Sequence, residues 1–124
     1  MKALAKFGKP SEFGTYHFID VPEPTCGDDD VIIEIKAAAI CGADMKHFNV
    51  DNGSEEFGSV RGHEFSGEIV EVGKDVTAWK VGQRVVSDNT GHVCGKCPAC
   101  MRGDFLLCSE HVNLGLGYGY SGGF

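Results

Sequence analysis

A mainly β architecture, either an all-β barrel or a sandwich with a small cysteine-rich lobe standing off it, is what the 124-residue sequence predicts. Three observations carry this reading. Short runs rich in Val, Ile, Phe and Tyr recur between turn residues at near-regular intervals, with no repeat, heptad or long amphipathic helical pattern to compete with them. Glycine occurs 18 times, far above the usual share of about 7%, and many of these glycines separate the β-branched runs. Finally, Cys94, Cys97, Cys100 and Cys108 crowd into one stretch, CGKCPACMRGDFLLC. Two-residue gaps let the backbone curl so that neighbouring thiolates converge, and four soft ligands suit the tetrahedral preference of Zn²⁺.

Residues 2–7 predict an opening strand and residues 15–21 (TYHFIDV) its hairpin partner, with Gly8, Pro10 and Gly14 between them. Pro22 and Pro24 end the second strand, and the polar turn 26–30 (CGDDD) makes Cys26 an ordinary turn or core cysteine. The strongest strand signal is 31–40. Val31, Ile33 and Ile35 share one face, Ile32, Glu34 and Lys36 the other, and the run 37–40 (AAAI) implies burial on both sides. Residues 41–49 suit a short helix starting near Gly42, too brief to persist without packing. The acid-, Gly- and Ser-rich stretch 50–60 reads as a surface loop. Residues 64–72 alternate like a half-buried strand, with Gly73, Lys74 and Asp75 as the following turn. Residues 81–87 make another strand, and 98–102 a one-turn helix inside the cysteine lobe, which spans about 90–112.

Composition narrows the function. A formal net charge of −7 with only 11 scattered Lys and Arg argues against nucleic acid as a partner. No stretch approaches a membrane span and the N-terminus carries no charged-then-apolar leader, so a cytoplasmic location and no membrane partner are expected. Six cysteines in a reducing compartment point to metal or catalysis; two disulfides in the 94–108 run are the alternative. The chain fits a single domain whose modest core a metal would help. Residues 115–124 (GLGYGYSGGF) predict a chain that continues past Phe124 into a further strand, against the alternative of a disordered tail.

Potential ligands outside the cysteine run are Cys41, Asp44, His47, His63, Glu64, His92 and His111. Cys41 and His63 fall at the ends of different strands, where one barrel rim could bring them together with Glu64. Three protein ligands and an open position are what a catalytic zinc keeps, in contrast to a closed four-cysteine site. His17, His92 and His111 read as structural or surface residues, and a buried structural Cys with a satisfied His is the commoner fate of such a pair.

A more specific pattern is present. GHE, two residues, G, five residues, G, two residues and V are matched by Gly62, His63, Glu64, Gly67, Gly73 and Val76. This signature, preceded by CGAD at Cys41 and followed by CGKCPAC, resembles the zinc-dependent medium-chain dehydrogenases, which include alcohol, threonine and polyol dehydrogenases. The resemblance covers almost the whole chain. It implies a GroES-like catalytic domain over 1–124, a partly open β-barrel with the metal lobe protruding, followed in the full-length protein by a Rossmann domain that this chain lacks.

The resemblance also implies one catalytic and one structural zinc, with NAD or NADP in the full-length protein. Cys41 and His63 become catalytic-zinc ligands, with Glu64 a third, directly or through water, as in polyol dehydrogenases; a fourth would lie beyond Phe124. Asp44 matches the acid that hydrogen-bonds the ligand His, a helix-capping acid being its alternative reading. Cys94, Cys97, Cys100 and Cys108 hold the structural zinc. Ala43 departs from the family's Ser or Thr, so a hydroxyl relay for the substrate proton is missing. Lys46 stands where a His is frequent and His47 follows it; either could export the proton through water, or neither, His47 then being a solvated helix residue. The implied reaction is metal-assisted hydride transfer from a secondary hydroxyl of a small alcohol or polyol, in a homo-oligomer, with the isolated 124 residues inactive. A non-enzymatic zinc-binding module would leave Cys41 and the spaced glycines unexplained, and a GroES-like co-chaperone would have no reason to carry either metal set.

Overall fold

The computed structural model describes residues 1–7, 16–48, 59–91, 93–111 and 122–124, with the side chains of 46–48 and 59 outside the description. The fold is mainly β. Its strands are β1 (Lys2–Lys6), β2 (Tyr16–Asp20), β3 (Val31–Ala39), β4 (Ser59–Val60), β5 (Glu64–Val72) and β6 (Arg84–Val86). Helices are short: α1 (Gly42–Phe48), α2 (Pro98–Met101) and one 3-10 turn (Phe105–Leu107). Among the described residues the strands form two three-stranded antiparallel sheets, β2-β1-β4 and β3-β5-β6, which do not close on each other, as in a partly open barrel.

The expected β1–β2 pairing is present, with Lys6 opposite Tyr16 and Lys2 opposite Asp20. Because directly opposed residues share a face, Leu4, Lys6, Tyr16 and Phe18 line one side of this sheet. Residues 122–124 join it. Phe124 accepts from Leu4 N–H at 3.0 Å and donates to Arg61 O at 3.0 Å, while Gly122 and Gly123 donate to Val60 O and Gly62 O. The Gly-rich stretch thus ends in strand-like pairing at 122–124; residues 112–121 lie outside the described part.

In the second sheet β5 is central and occupies the residues its alternation predicts, with Ile69 1% exposed. Gly67 is required there, since a Cβ would meet the Glu34 carbonyl and the Ile33 side chain. At Gly73 a Cβ would meet the backbone carbonyls of Gly27 and Asp28, which pins the following turn onto the turn before β3. Gly73 N–H donates to Asp30 O at 2.8 Å and Asp75 N–H to Asp28 O at 2.9 Å. Cys26, in that turn, is half-buried with its thiol on Asp30 O at 3.4 Å.

Four expectations need correcting. Residues 37–40 are exposed, Ile40 by 73%, because among the described residues β3 pairs only with β5 and no element covers its other side. The face alternation expected along β3 breaks at Lys36, the residue skipped where the register shifts between Ile35 and Ala37, whereas the shift between Ile32 and Ile33 skips Val70 on β5. The strand expected over 81–87 shrinks to β6, because Gly82 takes φ +87° and turns the chain first. Residues 59 and 60, expected in a loop, form β4, which pairs with β1; residues 49–58 lie outside the described part. Among the described residues the buried apolar side chains are Ala3, Ala5 and Ile69 in the sheets and Ala99, Cys100 and Cys108 in the lobe. Among the described residues no helix is long and apolar enough to cross a membrane.

Candidate metal centres

Antiparallel pairing of β3 with β5 places the C-terminal end of one strand beside the N-terminal end of the other, Ala39 opposite Glu64. Cys41 follows β3 by two residues and His63 precedes β5 by one, so the topology draws them to the same end of the sheet. Ligand atoms of Cys41, His63 and Glu64 all lie within 4.8 Å of one another. His63 is buried, Cys41 half-buried and Glu64 exposed, which leaves the cluster open on the glutamate side. A thiol, an imidazole and a carboxylate form a donor set suited to Zn²⁺.

Local structure around Cys41 is a capping box. Cys41 N–H donates to Asp44 Oδ2 at 2.8 Å, and Ala43 N–H donates to Cys41 Sγ at 3.4 Å, so the thiol serves as the helix-capping acceptor. The second oxygen of Asp44 stands 3.5 Å from His63 Nδ1, longer than a normal hydrogen bond, with both side chains nearly buried. One oxygen of Asp44 thus caps the helix, while the other faces the imidazole without a normal hydrogen bond.

In the lobe the four cysteine sulfurs also lie within 4.8 Å of one another, all as free thiols, which removes the disulfide alternative among the described residues. Cys94 Sγ is 3.9 Å from Cys100 Sγ and 3.6 Å from Cys108 Sγ. A tetrahedron with Zn–S bonds of about 2.3 Å has edges of roughly 3.8 Å, so the spacing fits a metal. Backbone N–H groups of Cys97, Cys100, Cys94 and Glu110 point at the sulfurs of Cys94, Cys97, Cys108 and Cys108 at 3.3–3.5 Å. The Cys100 N–H holds Cys97 down at about 6, and the Cys94 N–H lowers Cys108. Burial, with the neighbouring thiols adding, pushes Cys100 up to about 12. Four crowded thiols do not all ionise by themselves; a divalent cation bound there would supply the compensating charge. Gly95 and Gly103, at φ +69° and +82°, make the turns that let the sulfurs converge.

The other candidates are less central. His47 is on α1, its side chain outside the described part, and so is that of Lys46. Residue 92 also lies outside the described part. His111 is half-buried after the lobe, and the His17 ring sits 5.8 Å from that of Phe7. Sequence reasoning missed a buried polar group beside the first cluster: Lys6 is 0% and Arg61 3% exposed. Near them, burial raises the pKa of Tyr16, with the Arg61 charge opposing and the Asp44 charge adding to the rise. The proximity of Arg61 to His63 in RGHEF was the available signal. Ser87 was missed too. Its hydroxyl donates to His63 O at 2.7 Å and accepts from Phe65 N–H at 3.2 Å.

A mainly β domain bearing these two donor clusters in this order corresponds to a metal-binding part of the zinc-type dehydrogenases. The family model described as "Alcohol dehydrogenase GroES-like domain" matches residues 27–124, and the chain belongs to that family. It is 70% identical over 125 residues to YdjL, an uncharacterized zinc-type alcohol dehydrogenase-like protein of Escherichia coli (strain K12), covering 100% of this chain and 34% of the relative. It is 44% identical over 117 residues to a sorbitol dehydrogenase of Halalkalibacterium halodurans, covering 93% of this chain and 33% of the relative. Among solved structures, the cobalt- and zinc-bound thermostable alcohol dehydrogenase of Pyrobaculum aerophilum superposes with a TM-score of 0.83 at 25% identity, covering 99% of this chain and 36% of the other. The chain thus spans about a third of the length of these relatives.

Proposed function

We propose that the chain is the catalytic domain of a zinc-dependent alcohol or polyol dehydrogenase that oxidises a secondary hydroxyl to a carbonyl, the hydride passing to NAD or NADP held by sequence outside these 124 residues. The observation that carries this is the convergence of Cys41, His63 and Glu64 within 4.8 Å, separate from the four-cysteine cluster. Cys41, His63 and Glu64 hold the first metal, and Cys94, Cys97, Cys100 and Cys108 the second, which staples the lobe. When bound, the first zinc supplies a Lewis acid that lowers the pKa of a hydroxyl oxygen near it. Asp44 keeps the His63 imidazole in the tautomer that presents Nε2 and makes it a better donor. Glu64, on the open side, is the ligand able to yield its place to substrate.

Ala43 offers no hydroxyl to carry the substrate proton outward, and His47, four residues further along α1, is the proposed carrier through water. The polyol preference rests on Glu64 beside the metal set and on the likeness to a sorbitol dehydrogenase. Cytoplasmic location and homo-oligomeric assembly of the full-length protein belong to the same reading.

Metal counting on anaerobically purified protein tests it. About two zinc per chain, falling to about one in Cys41→Ser, is the expected result. One zinc per chain, unaffected by that substitution, would sink the dehydrogenase reading in favour of a module holding only the cysteine cluster.

A further inference from the structure

Residues 61–63 belong to no strand; they carry the chain from β4 in one sheet to β5 in the other. His63 therefore sits at a crossing, where neither ladder fixes its backbone. Metal ligation tolerates distance errors of only about 0.2 Å, so something must hold this passage in place. We propose that Ser87 and Phe124 are positioning residues that clamp His63 from the two sheets and so set the affinity of the Cys41–His63–Glu64 cluster for its metal. The inference rests on the metal reading above.

From the second sheet, the Ser87 hydroxyl donates to His63 O at 2.7 Å and accepts from Phe65 N–H at 3.2 Å, while Ser87 N–H donates to Phe65 O at 2.9 Å. One side chain thereby brackets the His63–Glu64–Phe65 tripeptide that supplies two of the three ligands. From the first sheet, Phe124 N–H donates to Arg61 O at 3.0 Å and Gly123 N–H to Gly62 O at 2.9 Å. Phe124 O accepts from Leu4 N–H at 3.0 Å, which ties the passage to β1. The Phe124 ring lies on the bare face of Gly62, where an added Cβ would come 2.5 Å from the ring, and Gly62 holds φ +94°. The ring thus sits against the residue whose conformation aims His63. None of these groups touches a metal; each acts through the backbone on either side of the ligand.

The test is site-resolved metal affinity. The four-cysteine cluster is first filled with zinc, and Co²⁺ is then titrated into the second site, followed by its visible absorption. Ser87→Ala and Phe124→Ala should each weaken cobalt binding by about 10- to 100-fold. Ser87→Thr, which keeps the hydroxyl, and Phe124→Tyr, which keeps the ring, should restore it to within a few-fold, and zinc affinity of the cysteine cluster should not change. Cobalt binding unchanged in both alanine variants overturns the proposal, as does a loss shared equally by both sites, which would mark general destabilisation. A loss in one variant alone overturns the two-sided clamp. A parent chain that takes up no second metal fails the metal reading itself, a result distinct from a parent that binds cobalt and variants that do not respond.

Discussion

Asp44 does two jobs with two oxygens, and substitutions can separate them. In Asp44→Ala both are lost. Losing the 2.8 Å acceptor for Cys41 N–H removes half of a capping box, worth about 1 kcal/mol; in a domain of this size that is a fall of about 4 °C in the Tm of metal-free protein. Losing the carboxylate that faces His63 Nδ1 at 3.5 Å should lower metal affinity at Cys41, His63 and Glu64 by about 10- to 100-fold, or about 1.4–2.8 kcal/mol. Asp44→Asn keeps an oxygen for the Cys41 amide but removes the charge from the imidazole. It should melt close to the parent when metal-free and still bind the first metal weakly. Competition against a chromophoric chelator, with the cysteine cluster filled beforehand, reads the affinity, and circular dichroism reads the melt. Parental metal affinity in Asp44→Ala would refute the argument, and so would an Asp44→Asn variant that loses as much metal-free stability as the alanine.

Cys108→Ser should remove one metal per chain and open the lobe to proteolysis between 94 and 108, while cobalt binding at Cys41 and His63 persists; mass spectrometry of the metal-loaded protein and its digest checks both. Metal affinity of the lobe should fall as pH is lowered, since binding needs thiolates. Cys100, up at about 12, surrenders a proton throughout the accessible range, whereas Cys97, at about 6, does so only below that value, so the slope of log Kd against pH steepens there. Gly73→Ala should cost at least about 1–3 kcal/mol, because the new Cβ meets two backbone carbonyls, of Gly27 and Asp28, that cannot swing aside. Ile69→Ala empties a 1%-exposed position in the central strand and should cost about 2–5 kcal/mol by chemical denaturation.

Elements governed by local rules were legible in the sequence. The alternation over β5, the Pro-started turn of α2 and the glycine-bounded cysteine run left little choice, and residues 64–72 and 98–101 form as the pattern requires. Burial along β3 was not legible, because Ala37 to Ile40 look like core residues unless the strand's position in the sheet is known, and that position depends on pairings far away in the chain. The donor sets were readable as residue types at suggestive spacings, and the structure adds their convergence. What no periodicity reveals is the supporting shell. Ser87 looks like the polar end of a strand and Phe124 like an ordinary apolar residue, yet both reach across to the residues around His63 through contacts between distant parts of the sequence.

The fit of the Phe124 ring over Gly62 has a consequence for how this family can drift. The two positions are 62 residues apart in sequence but share one small volume, so a side chain cannot grow at the first while the ring stays at the second. A larger residue at 62 meets the ring and a disfavoured φ together, and a smaller one at 124 uncovers the glycine. Giving up the ring would clear the space but leave the φ, so a survey of natural sequences should find glycine kept at 62 even in lineages that have lost an aromatic at 124.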